Sequence, residues 1–221
     1  MHYLFREALL NVSPPLVGFL KRLRARKDSF SQFGEDIVLW NLLNYKSNGF
    51  YVDCGAFDPY IFSNTAKFYE AGWSGINIEP QRSRWSIFQR LRTRDINLCE
   101  VVSDSREEAF FFESAIPTMS GIYSSDQVSS RLGSSFKRVP VPLSQIIQKY
   151  APGRYVDLLS IDCEGHDLNV LRSNNWSQTR PAYLIVEDHD KSSVTPIDSF
   201  LFRLDYKIMI RLGPSKIFCT V

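Results

Sequence analysis

Twice in this 221-residue chain an apolar run stops at acid, and each time a second such run answers it about twenty-five residues later. The first pair is YVDCGAFDP at 51–59 with INIEP at 76–80; the second is LLSIDCEGHDL at 158–168 with LIVEDHD at 184–190. A near-continuous apolar run marks a strand buried on both faces, as in a parallel sheet. Open sheets of that kind bind ligands in the crevice outside the carboxyl ends of their strands. Acids at the ends of four such runs therefore predict an α/β domain with a carboxylate-lined crevice.

The segments between fit that plan. SQFGEDIVLWNLLNY has helical spacing at Ile37, Leu39, Trp40, Leu42 and Leu43, with Glu35 and Asp36 near its N-terminus where the helix dipole favours negative charge. A short helix from about Asn64 to Ala71, closed by Gly72, makes the first two runs a βαβ unit. SRWSIFQRLRTR reads as a helix, INLCEVVSD as a third strand and EEAFFFES as an antiparallel fourth. Residues 113–138 are rich in Ser and Gly and read as a long loop on the substrate side. A helix follows Pro142 with Ser144 as its cap, then come helices near 167–173 and 196–204, and YKIMIRLGPSKIFCTV closes the chain as a hairpin.

A length of 221 residues suits one α/β core, placed at 31–221, with an extension at 1–30. A formal charge of +2 gives no argument for a nucleic-acid partner. Cys54, Cys99, Cys163 and Cys219 lack CxxC spacing, which points to reduced thiols in a cytoplasmic protein. No stretch of about twenty apolar residues is long enough to span a membrane. The extension places apolar residues before the cluster Lys21, Arg22, Arg24, Arg26 and Lys27, the reverse of a secretory signal. It reads as a capping helix with a solvated basic end, or as a peripheral contact of residues 1–27 with the inner membrane face.

In the first pair, Asp53 ends one strand, with Gly55 and Ala56 following where a backbone must pass close to a ligand; Glu79 and Pro80 end the next. A carboxylate in the position of Glu79 suits two ribose hydroxyls. The turn is not GxGxxG and holds no basic residue for a pyrophosphate. A ribose-bearing cation without phosphate fits, which is the description of S-adenosylmethionine.

These residues resemble the FkbM-type S-adenosylmethionine-dependent methyltransferases. The resemblance runs from SQFGED at 31–36 through YVDCGAFDP, SNT at 63–65, GWSGINIEP at 72–80, VVSD at 101–104, PLSQII at 142–147 and LLSIDCEGHDLNVL at 158–171 to IVEDH at 185–189. It implies a Rossmann-like class I methyltransferase fold: a mostly parallel seven-stranded sheet, an antiparallel C-terminal hairpin strand and helices on both faces. It implies methyl transfer to a hydroxyl, often in bacterial polysaccharide or secondary-metabolite pathways. By position it assigns Asp53 and Gly55 to the methionine portion of the cofactor and Glu79 to the ribose, and Asn64 of the SNT segment is counted with the cofactor-binding residues. Gln32 and Glu35 fall in the covering segment, and Val102, Ser103 and Asp104 beside adenine.

The second pair carries the chemistry. Methyl transfer needs an acceptor oxygen held in line and a destination for its proton. Three readings stay open: Asp162, Glu187 and Asp188 hold Mg²⁺ or another divalent cation; His166 or His189 is a base oriented by an acid; or Glu164 and Asp167 cap the following helix. The catalytic candidates are thus Asp162, Glu164, His166 and His189, with Asp162 also touching the cofactor. The expected acceptor is a hydroxyl of a sugar or glycan intermediate; a small secondary metabolite and a catalytically silent scaffold are the alternatives. Arg131, Lys137 and Arg138 are cations available to a phosphate on the acceptor.

Overall fold

The computed structural model describes residues 29–114, 121–123 and 133–220. The expectations for residues 1–28, and for Arg131, lie outside them. Helices α1 (Glu35–Leu42), α2 (Ala66–Glu70), α3 (Arg82–Leu91), α4 (Leu143–Tyr150), α5 (Asp167–Arg172) and α6 (Pro196–Phe202) surround one large sheet. Its strands are β1 (Phe50–Cys54), β2 (Ser74–Ile78), β3 (Ile96–Leu98), β7 (Leu158–Ile161), β8 (Tyr183–Glu187), β9 (Tyr206–Leu212) and β10 (Ser215–Thr220).

The order is β3-β2-β1-β7-β8-β10-β9. The first five are parallel, and β10 lies antiparallel between β8 and β9. This is the expected Rossmann-like arrangement. Every residue of β1 and β7 is buried, which is why both read as unbroken apolar runs. Successive side chains point to opposite faces. Val52 and Cys54 pack with Leu143, Ile146, Val170 and Leu201 of α4, α5 and α6, whereas Tyr51 packs with Leu39 and Phe68 of α1 and α2. Helices therefore cover both faces. Each fully buried Leu or Ile contributes roughly 1.5–3 kcal/mol. Among the described residues no helix is long and apolar enough to cross a membrane.

Because β1, β2, β7 and β8 are parallel, their carboxyl ends share one edge. The reversal of β10 brings its first residues, Ser215 and Lys216, to that same edge, beside the β9–β10 turn.

Three local expectations are corrected. The third strand stops at Leu98, whose carbonyl accepts the Glu79 N–H at 3.0 Å; Val102 makes only an isolated bridge to Val141. Ser144 does not cap α4. It sits in the first turn, and the free N–H groups of Leu143 and Ser144 are taken by the Ser173 hydroxyl and carbonyl at 3.0 and 3.2 Å. Residues 113–138 are not one long loop: β4 (Ala109–Ser114), β5 (Gly121–Tyr123) and β6 (Gly133–Arg138) form a separate antiparallel sheet in the order β5-β4-β6.

Candidate active site

A cavity of about 930 Å³ opens at the shared carboxyl edge. At its floor Asp53 is buried, and its Oδ2 accepts the Thr65 hydroxyl at 2.7 Å. Burial raises its pKa, opposed by the Thr65 and Ser160 hydroxyls. Asn64, which donates to Ser160 Oγ at 3.2 Å, lines the same wall.

Gly55 has φ +77°. A Cβ there would stand 1.8 Å from the Asp162 carbonyl oxygen. The glycine thus serves the join between β1 and β7 as well as the approach of a ligand, since the Asp162 N–H also donates to the Cys54 carbonyl at 3.0 Å. Gly55→Ala is expected to destabilise the fold by more than about 4 kcal/mol, read from urea unfolding, because both the left-handed backbone and the contact oppose it.

Glu79, just past β2, is 6% exposed. Its Oε2 accepts the Phe57 N–H at 2.9 Å and its Oε1 the Gln81 N–H at 2.7 Å. Two amides thus fix the carboxylate while it lines the cavity with Ala56, Pro80 and Val102. Ser103 and Asp104 do not reach the cavity. Their hydroxyl and carboxylate are turned to each other, and Asp104 takes the Asn169 amide at 2.9 Å.

The covering segment divides. Gln32 lines the cavity, but Glu35 does not: it is buried, accepting the Phe33 N–H at 2.8 Å and the Ser215 hydroxyl at 2.7 Å. Glu35 ties the segment to β10.

On the chemical side, Asp162 and Glu187 face each other and share a hydrogen bond. Burial, then the Glu187 charge and hydrogen bond, push Asp162 well above the carboxylate range. Burial also lifts Glu187, to about 7. Each carboxyl therefore favours its protonated form more than a free acid does. His189 Nε2 lies 3.2 Å from Glu187 Oε2.

Glu164 and His166 also line the cavity, on a turn held by Asp167, which accepts the Cys163 and Gly165 N–H groups at 2.9 and 3.1 Å. Partial burial, then the charges of Asp162 and Asp167, push Glu164 to about 7. Asp167 stands in the first turn of α5 but accepts from loop amides ahead of the helix rather than capping it, while Glu164 faces the cavity.

The expectation of a metal held by Asp162, Glu187 and Asp188 is corrected. Asp188, just past the end of β8, lines the cavity too, but its carboxylate is engaged by other groups. Its Oδ2 accepts Lys216 Nζ at 2.7 Å and the Thr195 hydroxyl at 2.6 Å, and its Oδ1 the Asp190 N–H at 3.0 Å. Its charge is already spent on Lys216. Among the described residues no three His, Cys, Asp or Glu side chains converge as a cation shell.

Lys216, Arg211, Gly213, Pro214 and Phe33 also line the cavity, and sequence reasoning missed them. Eight carboxylates line it against four Lys and Arg, so the interior suits a cationic ligand.

The sheet order and the acid-edged cavity define a Rossmann-like methyltransferase. The chain belongs to the FkbM methyltransferase family, for residues 53–208 match the family profile described as "Methyltransferase FkbM domain". Among solved structures it is similar to a methyltransferase from Geobacter sulfurreducens, at 16% identity over 97% of this chain and 93% of that chain, with a TM-score of 0.48. No curated protein matches the sequence significantly.

Proposed function

We propose that this methyltransferase uses S-adenosylmethionine to methylate a hydroxyl of a sugar or glycan intermediate. The observation that carries the reading is the clustering of Asp162, Glu187 and His189 in one cavity with the buried carboxylates of Asp53 and Glu79. The residues fit the cofactor. Glu79 is aimed by two amides toward the place of a ribose diol, and Asp53 is buried against hydroxyls rather than a contacting cation. An ammonium or sulfonium group would offset that desolvation.

When bound, S-adenosylmethionine supplies an electrophilic methyl carbon and a thioether leaving group. The chain has to orient the acceptor and receive its proton. His189 lies 3.2 Å from Glu187 Oε2 and is the base that receives the hydroxyl proton, while Glu187 stabilises the imidazolium that forms. Asp162, beside Glu187, keeps it in place. Loss of the proton to a positioned base contributes typically 10²–10⁴-fold.

Methyl-labelled S-adenosylmethionine offered with glycosides, phenols and amines tests the reading. Label is expected in glycoside O-methyl groups; label confined to amines or phenols overturns it. Thorough chelation is expected to leave turnover unchanged, since Lys216 already neutralises Asp188.

A further inference from the structure

Among the described residues four phenylalanines line the cavity; Phe57 and Phe62 stack on each other with centroids 6.5 Å apart, and Phe33 lies against the β9–β10 turn. Phe33 is 44% exposed and lines the cavity. A lone exposed Phe is ordinary, but this one is built in. Its N–H is fixed by buried Glu35, and Glu35 is fixed by the Ser215 hydroxyl. Its ring lies over Gly213 in the β9–β10 turn, where φ is +60° and a Cβ would meet Phe33 Cε2 and Cζ at 3.0 Å. The glycine leaves room for the ring.

The register places this platform beside the proton acceptor. Ser215 pairs with Glu187, and the Asp188 N–H donates to the Pro214 carbonyl at 3.0 Å, so the turn under Phe33 adjoins the end of β8. Glu164, His166, Glu187, His189, Asp190 and Arg211 line the same cavity. A flat aromatic acceptor needs apolar cover on two faces. A ligand with one apolar face and hydroxyls around its edge needs one ring and many polar partners, and a pyranose has that form.

We propose that Phe33 is the acceptor platform: its open face receives the C–H face of one pyranose ring and turns a ring hydroxyl toward His189 and Glu187. This rests on the hydroxyl-transfer reading above.

The test uses the full chain loaded with S-adenosylhomocysteine, with methyl α-mannopyranoside, methyl α-rhamnopyranoside and catechol as probes in saturation-transfer NMR. Glycoside signals are expected on ring protons of one face. They should persist in Phe33→Trp and weaken about tenfold in Phe33→Ala, the loss of one aromatic contact of about 1.4 kcal/mol. Calorimetric affinity for S-adenosylhomocysteine should be unchanged in both variants, which also reports that they fold. Glycoside signals indifferent to Phe33→Ala, absent from the parent protein, or replaced by catechol signals overturn the platform. A parent protein that fails to bind S-adenosylhomocysteine overturns the cofactor reading instead.

Discussion

Glu79→Ala is expected to weaken S-adenosylhomocysteine binding by more than about 100-fold in calorimetry. Hydrogen bonds to a charged group contribute roughly 1.5–3 kcal/mol each, and a carboxylate facing a ribose diol makes two. The carboxylate is prepared for this by burial and by the Phe57 and Gln81 amides, which hold both oxygens in place. The same amides make the variant less stable, by about 1–3 kcal/mol for each N–H left without a partner. The melting transition must therefore be measured alongside, with calorimetry run well below it. A folded Glu79→Ala protein that binds as tightly as its parent would remove Glu79 from the nucleoside grip. The methyltransferase assignment, which rests on the family match over 53–208, would stand.

The carboxylate-lined crevice was legible in the sequence because its parts sit at the ends of strands buried on both faces. Parallel strands all deliver their carboxyl ends to one edge, so apolar runs ending at Asp53, Glu79, Asp162 and Glu187 identify a shared crevice without any knowledge of register. What failed depended on register or on packing between distant segments. Lys216 begins β10, and a residue at the start of a strand reaches the site only because that strand runs backwards between β8 and β9. Asp188 adjoins Glu187 in sequence and lines the same cavity, yet its carboxylate is taken by Lys216 and Thr195, so two neighbouring acids do not make a metal site. Glu35 resembled a first-turn acid serving the helix dipole, but its partners are the Phe33 amide and Ser215, 180 residues away. The sheet of β4, β5 and β6 escaped because GSSFKR offers one large apolar residue, Phe136, whose ring packs against Phe111 with centroids 5.3 Å apart. A strand with so little periodicity reads as a loop.

Glu187→Gln should lower kcat by about 10²–10⁴-fold while leaving S-adenosylhomocysteine affinity intact, and His189→Ala should fall in the same range. If His189 receives the acceptor proton, the carboxylate of Glu187 must be ionised to stabilise the imidazolium. Burial raises Glu187 to about 7, so kcat in the parent protein should climb with pH up to about 7 and level off above it. Glu187→Gln should lose that limb, which a merely structural substitution would leave in place. Stability carries the opposite sign. A carboxyl whose pKa is higher folded than unfolded contributes stability that is fully present below its unfolded value, about 4.3, and lost as pH rises through about 7. Glutamine has no proton to lose and still accepts from Asp162. The variant should therefore melt above the parent at pH 8 and close to it at pH 4, with each kcal/mol worth about 2–4 °C. Higher stability with lower turnover in one substitution is the result expected of a group held in an unfavourable charge state for catalysis. A variant that keeps the parent's pH limb, or melts below the parent at pH 8, would show that Glu187 has no such role.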